Sequence, residues 1–298
     1  MLFSAKNVRT EILGKSGTAF GWCINPYNGC SHGCKYCYGM ATTRKDYHTW
    51  IKAEVRKNLI ERLKEDICKL KRVDLLGEIR DIFLGSITDS YQPIEEKYKQ
   101  TKQVIEVLIE NDLPFSILTK NDLVLRDIDL FKDYKWCRVG VTITSLDESF
   151  RKALEPYTVD YNRRIEVLCS LKENGISTYL SCEPIMPVVE SNPLPIVEKL
   201  TGIVDLFDFG MFTHHGRYDY TPGQYFKHYR DEKFYYEVFS KVIQYCNNYS
   251  LDYCVASHSR SFFRKNKLPF KPYPLLKPTT WKMQKTLDFF SVNSHYTS

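Results

Sequence analysis

Three cysteines, Cys30, Cys34 and Cys37, crowd the run Gly29-Cys30-Ser31-His32-Gly33-Cys34-Lys35-Tyr36-Cys37-Tyr38-Gly39. The spacing is C-x3-C-x2-C. Thiolates are soft ligands, and three so close together can hold three corners of a [4Fe–4S] cube. The fourth iron is then without a protein ligand, and an open coordination position is where a substrate or cofactor binds and reacts. Gly29, Gly33 and Gly39 let the loop wrap such a cluster and bring backbone N–H groups to its sulfurs. The competing reading is a zinc-stabilised, nucleic-acid-binding module without catalysis, with Cys23 or His32 as fourth ligand. Zinc knuckles and ribbons show paired C-x2-C units or a histidine at set spacing, and no second pair follows here.

The remaining cysteines (Cys23, Cys68, Cys137, Cys169, Cys182, Cys246 and Cys254) are scattered through apolar stretches and read as small core residues. With 298 residues, 43% hydrophobic and 26% charged, the chain is long enough for a substantial core, and disordered or collagen-like classes are excluded. No apolar stretch approaches the ~20 residues of a membrane-spanning helix. The N-terminal MLFSAKNVRTEILGKSG carries charges where a signal peptide needs an apolar run. A cytoplasmic location without membrane association is therefore expected, and in a reducing compartment cysteines are thiols or metal ligands.

The net charge of +6 is unevenly placed. Residues 255–298 hold eight Lys or Arg against the single acid Asp288, while the rest of the chain has 34 basic and 35 acidic side chains of the total 42 and 36. A basic extension that interleaves Arg264, Lys265 and Lys267 with Phe263, Phe270 and Tyr273 suits DNA or RNA: cations for phosphates, rings for bases. Packing over a barrel edge is the alternative reading of the same segment.

Elements that would position the cysteine loop follow from periodicity. Apolar strand patterns occur at 19–24, 80–87, 115–119, 138–144, 176–182, 203–210 and 252–257, with helical patterns at 48–72, 94–111, 121–134, 161–174 and 231–248 and a short helix from Asp147. Alternation of this kind predicts an α/β fold of βαβ units with a parallel sheet, open or partly closed into a barrel, and chemistry at the C-terminal strand ends. The cysteine loop, Ser86 to Gln92, Lys120, Thr142 to Ser145 and Glu183-Pro184 all fall there. Residues 211–230, with His214 and His215, read as an insertion capping the barrel mouth.

The triad after the first strand resembles the radical S-adenosylmethionine enzymes. Gly85–Glu95, Leu118–Asp127, Thr142–Asp147, Leu154-Glu155-Pro156, Arg163-Arg164 and Glu183–Pro187 are similar to the branch containing spore photoproduct lyase, often labelled DNA repair photolyase-like. The similarity spans about residues 20–190. It implies a partial parallel (β/α)6 barrel, expected over residues 1–254, while the charge asymmetry sets off a basic aromatic C-terminal extension over 255–298. The similarity also implies that a [4Fe–4S] cluster on Cys30, Cys34 and Cys37 and an external flavodoxin- or ferredoxin-type electron donor cleave S-adenosylmethionine reductively to a 5′-deoxyadenosyl radical. That radical would abstract hydrogen from a substrate, with nucleic acid as the first candidate and a peptide or small metabolite as the alternative.

The same resemblance implies cofactor-binding roles for Thr88, Lys120 and Thr142, with Thr144 one alternation further along the strand. The lyase has a hydrogen-donating cysteine where this chain has Ser86, and a serine O–H does not give up a hydrogen atom readily. Tyr38 matches a lyase tyrosine and is the candidate hydrogen-atom relay. Glu155 with Arg163-Arg164 reads as an ion-pair network beneath the site, and Glu183 as an acceptor for adenosine hydroxyls.

Overall fold

The computed structural model describes residues 5–6, 12–15, 21–214, 220–226 and 229–277. Seven strands run parallel: β1 (Trp22–Ile24), β2 (Ile82–Leu84), β3 (Phe115–Thr119), β4 (Cys137–Thr142), β5 (Thr178–Ile185), β6 (Leu206–Met211) and β7 (Tyr253–Val255). They lie side by side in chain order, and Gly14–Lys15 adds an antiparallel edge beside β1. The two edge strands do not pair with each other among the described residues, so the parallel array is an open, partial barrel. Parallel neighbours cannot be joined by a tight turn. The crossovers carry the helices Leu59–Arg72, Gln100–Glu110, Ile128–Lys132, Tyr161–Glu173, Leu194–Leu200 and Glu232–Asn248.

Strand side chains alternate between two environments. Val139, Val141, Leu180, Phe207, Phe209 and Val255 join the main core with helix residues such as Leu63, Ile67, Leu108, Leu168 and Val242. Each such side chain, fully buried, contributes about 1.5–3 kcal/mol. The opposite, inner face carries Cys23, Phe83, Leu118, Tyr179, Leu206 and Cys254, with Tyr273 from beyond β7 inserted among them.

Three of the expected helices are interrupted. The 48–72 pattern divides into Tyr47–Trp50 and Leu59–Arg72, because Glu54–Arg56 is drawn out as a strand between Tyr27–Asn28 and Ala5–Lys6. Val55 and Ala53 are buried there against Tyr27 and Ile94, and this tertiary burial outweighs local helix propensity. The 94–111 pattern breaks at Lys99, whose φ of 51° ends Ile94–Tyr98. The buried Glu95 then accepts from the backbone N–H groups of Thr101 (2.8 Å) and Lys102 (3.2 Å), capping the next helix from the previous one. The 121–134 pattern starts as a 3-10 segment, Asp122–Asp127, before Ile128–Lys132. The short helix Glu148–Leu154 forms as expected, with Asp147 as its N-cap.

Beyond β7 the chain turns into the helix Arg260–Lys265 and folds back, with Val255 N–H donating to the Lys271 carbonyl at 3.0 Å. Phe263 and Tyr273 are buried and Phe270 is partly so, all three packed into the body of the protein. Lys265 pairs with Glu232 and Lys277 with Asp112, both at 2.7 Å. Residues 278–298 and His215 lie outside the described residues. No helix among the described residues is long and apolar enough to cross a membrane.

Candidate functional site

The cysteine loop leaves β1 through Tyr27–Asn28 and is wrapped by residues 47–56. Cys30 N–H donates to the Trp50 carbonyl at 3.0 Å. Gly29 has φ of 81°, and a Cβ on it would stand 2.6 Å from that same carbonyl, so no larger residue fits. Cys34 and Tyr36 pack on Phe150, Leu154, Met186 and Phe212, while Cys30 packs on Met40, Tyr47 and Trp50. Lys35 N–H donates to the Leu154 carbonyl at 2.8 Å. The insertion also reaches this loop, with Tyr220 N–H donating to the Lys35 carbonyl at 3.0 Å and Tyr225 edge-on to Phe150.

Residues after β2 clamp the loop from its other side. Gln92, fully buried, accepts from Ser31 N–H (2.8 Å) and donates to the Gly29 carbonyl (3.0 Å). Asn25, just past β1, accepts from the N–H groups of Ile87 (2.9 Å) and Thr88 (3.3 Å) and donates to the Ser86 hydroxyl (3.0 Å). Asp89 receives the Thr119 hydroxyl (2.7 Å) and the N–H groups of Lys120 (2.8 Å) and Tyr91 (2.9 Å), and His32 Nδ1 stands 3.2 Å away, an ionic contact rather than an aligned hydrogen bond. Burial opposes both charges of this pair, yet their mutual attraction prevails: His32 is pushed up to about 9 and Asp89 down to about 2.

Lys120, at the end of β3, sits with its ammonium 6.0 Å from the centre of the Tyr36 ring. Burial opposes its charge, but Cys34, Glu155 and Asp89 together raise its pKa above the usual lysine value. Tyr36 donates its hydroxyl to Glu155, and Glu155 meets Arg164 at 2.6 Å. Arg164 also donates to the Thr142 carbonyl at 2.8 Å, tying the cysteine loop to the tip of β4. Arg163 faces outward, paired with Asp122 and Glu166.

Thr88, Lys120 and Thr142 thus stand on consecutive strand ends β2, β3 and β4 beside the cysteine loop. Thr88 and Thr142 are buried, and neither hydroxyl has a hydrogen-bond partner. Buried hydroxyls without partners are uncommon and leave hydrogen-bonding capacity for a further polar group. Thr144 differs: its hydroxyl is taken up by Glu155 (3.3 Å) and Tyr161 (3.0 Å). Tyr38 is partly exposed and donates its hydroxyl to the Ser86 carbonyl. Sequence reasoning missed the clamps Asn25 and Gln92, isolated amides whose partners lie some 60 residues away.

Burial pushes the Cys37 thiol up to about 11 and Cys34 well above its usual range. A bound metal reverses this logic by stabilising the thiolates directly. Among the described residues no three His, Cys, Asp or Glu side chains converge where a single ion would sit. A multi-iron cluster asks for something else: one thiolate per iron around a larger body. Cys30, Cys34 and Cys37 on one wrapped loop, with orphaned hydroxyls beside them, fit such a cluster with a small polar cofactor.

The radical SAM superfamily model matches residues 24–191, more than half of the chain. The chain belongs to the radical SAM superfamily. Membership implies S-adenosylmethionine and an iron–sulfur cluster, and it sets aside the zinc-module reading. An uncharacterized protein of Methanocaldococcus jannaschii is 37% identical over 166 residues, covering 55% of this chain and 60% of that protein. A protein of Pseudomonas phage M6 named radical SAM Nalpha-GlyT isomerase is 27% identical over 183 residues, covering 60% of this chain and 36% of its own length. The chain therefore matches less than two thirds of each of these relatives. Among solved structures, spore photoproduct lyase complexed with dinucleoside spore photoproduct matches with a TM-score of 0.66 at 15% identity, over 84% of this chain and 80% of that one. Streptococcus suis SuiB bound to S-adenosylmethionine matches with a TM-score of 0.61 at 15% identity, over 84% and 53%. At such identities the likeness is one of fold, and it confirms the radical SAM architecture expected from the sequence.

Proposed function

We propose that this radical SAM protein cleaves S-adenosylmethionine reductively at a [4Fe–4S] cluster on Cys30, Cys34 and Cys37, and abstracts hydrogen from a nucleic-acid substrate. The observation that carries the reading is the pair of unpartnered, buried hydroxyls of Thr88 and Thr142, at the ends of the strands on either side of the one that leads to Lys120, beside the cysteine loop. When bound, cluster and cofactor together supply a 5′-deoxyadenosyl radical through one-electron cleavage.

The chain's own residues bind, orient and shield. Lys120 pairs with the cofactor carboxylate, and the Thr88 and Thr142 hydroxyls hydrogen-bond its polar atoms. Asn25 fixes the backbone that carries Thr88, Gln92 holds the cysteine loop in register, and Phe150, Leu154 and Met186 keep water from Cys34. Ser86 does not return a hydrogen atom to a carbon-centred product radical, because its O–H bond is too strong. Tyr38, anchored on the Ser86 carbonyl, is the nearer candidate for relaying one. The electron comes from an external flavodoxin- or ferredoxin-type donor.

Nucleic acid as substrate is supported by the likeness in fold to spore photoproduct lyase complexed with dinucleoside spore photoproduct and by the exposed Arg264, Lys265, Lys267 and Lys271 of the extension. A peptide substrate is the second reading, favoured by the fold match to SuiB bound to precursor peptide SuiA.

The test is anaerobic. The reconstituted protein is assayed for iron, sulfide and zinc, then given S-adenosylmethionine and a strong reductant. Labile sulfide and released 5′-deoxyadenosine are expected, and Cys34→Ala abolishes the release. Zinc without sulfide and no 5′-deoxyadenosine would refute the reading. Charge reversal at Arg264, Lys265 and Lys267 should weaken DNA or RNA binding and flatten its salt dependence; unchanged affinity favours the peptide reading.

A further inference from the structure

One polar row crosses the inner face of the barrel. Thr142 of β4 is in register with Ser181 of β5, Ser181 with Asp208 of β6, and Asp208 with Cys254 of β7. Residues in register on parallel strands face the same side, and the contacts agree: Asp208 accepts from the Ser181 hydroxyl at 3.2 Å and from the Cys254 thiol at 3.4 Å. Cys254 belongs to the inner cluster, while Phe207 and Phe209, on either side of Asp208, point into the helices.

This row ends in uncompensated acid. Glu183, two residues beyond Ser181 on the same face, is the largest neighbouring charge on Asp208, and its repulsion adds to burial in opposing the Asp208 charge. Among the described residues no lysine or arginine pairs with either carboxylate; the His258 imidazole stands 3.6 Å from Glu183 and contacts the Met211 carbonyl at 3.0 Å. Burial and the Glu183 charge push Asp208 up to about 7, as befits a carboxylate lacking a cation. Two further groups on this wall await a partner. The Thr142 hydroxyl is buried and unbonded, and so is the hydroxyl of Tyr179, which lies one layer deeper and within electrostatic range of Asp208.

We infer that Asp208, steered by Ser181 and Cys254 and seconded by Glu183, is the anchor for a positively charged nitrogen group of the substrate, an ammonium or amidinium. Such a group supplies N–H donors to a carboxylate that has only a hydroxyl and a thiol, and it relieves the repulsion between Asp208 and Glu183. Strands about 4.8 Å apart put the Asp208 backbone roughly 10 Å from that of Thr142. A substrate held by its nitrogen at Asp208 therefore presents a carbon a few bonds away to the cofactor held at Thr142. An anionic group is repelled from the same wall, so phosphates of a nucleic-acid substrate lie outside it.

This inference rests on the barrel mouth being the site of substrate chemistry, and its test separates the two. Ligand-observed saturation-transfer NMR on the full chain uses butylammonium, butylguanidinium, butanol and butyrate as probes. The two cations give signals that fall about tenfold in Asp208→Asn, equivalent to ~1.4 kcal/mol, while butanol and butyrate give none. Equal signals in wild type and variant, or a signal from butyrate, overturn the inference. Should Asp208→Asn fail to fold, Glu183→Gln takes its place with a smaller loss expected, and no loss overturns the inference equally. S-adenosylmethionine binding is followed in parallel. Wild type that binds the cations but not S-adenosylmethionine refutes the cofactor reading and leaves this one standing. Loss of S-adenosylmethionine binding in Asp208→Asn assigns Asp208 to the cofactor instead and overturns it.

Discussion

Glu155 and Arg164 meet at 2.6 Å with neither side chain reached by solvent. The second Glu155 oxygen takes the Tyr36 hydroxyl, and Arg164 reaches the Thr142 carbonyl. One buried pair thereby joins the loop that presents Cys34 and Cys37 to the strand end that presents Thr142. Each charge is satisfied several times over, which is the condition for keeping two ions out of water.

Removing one partner strands the other. Glu155→Ala should lower the unfolding free energy by roughly 3–5 kcal/mol, the usual cost of a lone buried charge. Glu155→Gln, which keeps an acceptor for Tyr36, should cost less. Urea unfolding measures both; a loss below about 1 kcal/mol for the alanine variant would show that Arg164 finds another partner.

Thr142 and Thr144 should respond oppositely to the same change. Thr142→Val removes a hydroxyl with no partner, so stability holds or rises while S-adenosylmethionine binding weakens. Thr144→Val breaks bonds to Glu155 and Tyr161 and costs stability by ~1 kcal/mol. Thermal unfolding paired with equilibrium dialysis of the cofactor reads both effects, and equal behaviour of the two variants would contradict the division of labour.

Asp81 sets a pH dependence. It is fully buried, accepts from the Ser116 hydroxyl at 2.8 Å and has one oxygen unbonded. Burial pushes it up to about 7, against the pull of Ser116 and Arg138. Its folded pKa thus exceeds the unfolded one, and the folded state binds more protons between the two. This contribution is full below the unfolded pKa of about 4 and is lost as pH rises to about 7. Asp81→Asn should gain roughly 2–4 kcal/mol relative to wild type on going from pH 5 to pH 8. Urea melts at the two pH values check this, and a constant difference would reject it.

Gln92 is expected to govern how well the loop keeps iron. Gln92→Leu leaves Ser31 N–H and the Gly29 carbonyl without their partners, a loss of about 2–4 kcal/mol for the two bonds. Iron release to a chelator from the reconstituted protein should accelerate in Gln92→Leu, and an unchanged rate would mean that the Trp50 contact to Cys30 suffices.

Much of the framework was legible locally. All seven strands were anticipated near their places, because buried parallel strands are continuous apolar runs between turn signals. Cys30, Cys34 and Cys37 announced themselves because ligand spacing is itself a local property. Helix continuity was not local. Glu54–Arg56 became a strand because Tyr27 and Ile94 offered a place to bury Val55, and Lys99 broke a helical pattern that Glu95 could cap from outside. Nor was the role of Phe263, Phe270 and Tyr273: composition suits them equally to bases and to a core, and only the fold-back at Lys271 seats them inside.

Sequence alone therefore determined the chemistry the chain carries: three thiolates at cluster spacing and the alternating elements that hold them at a strand end. Tertiary structure decided which polar groups serve that chemistry. Arg163 and Arg164 are neighbours in sequence, yet one meets water and the other is fully buried against Glu155. Thr142 and Thr144 share a residue type, yet one hydroxyl is free and the other engaged. The row from Thr142 through Ser181 and Asp208 to Cys254 draws on four strands spread over more than a hundred residues. Register between distant strands depends on how whole surfaces pack, and no local spacing encodes it.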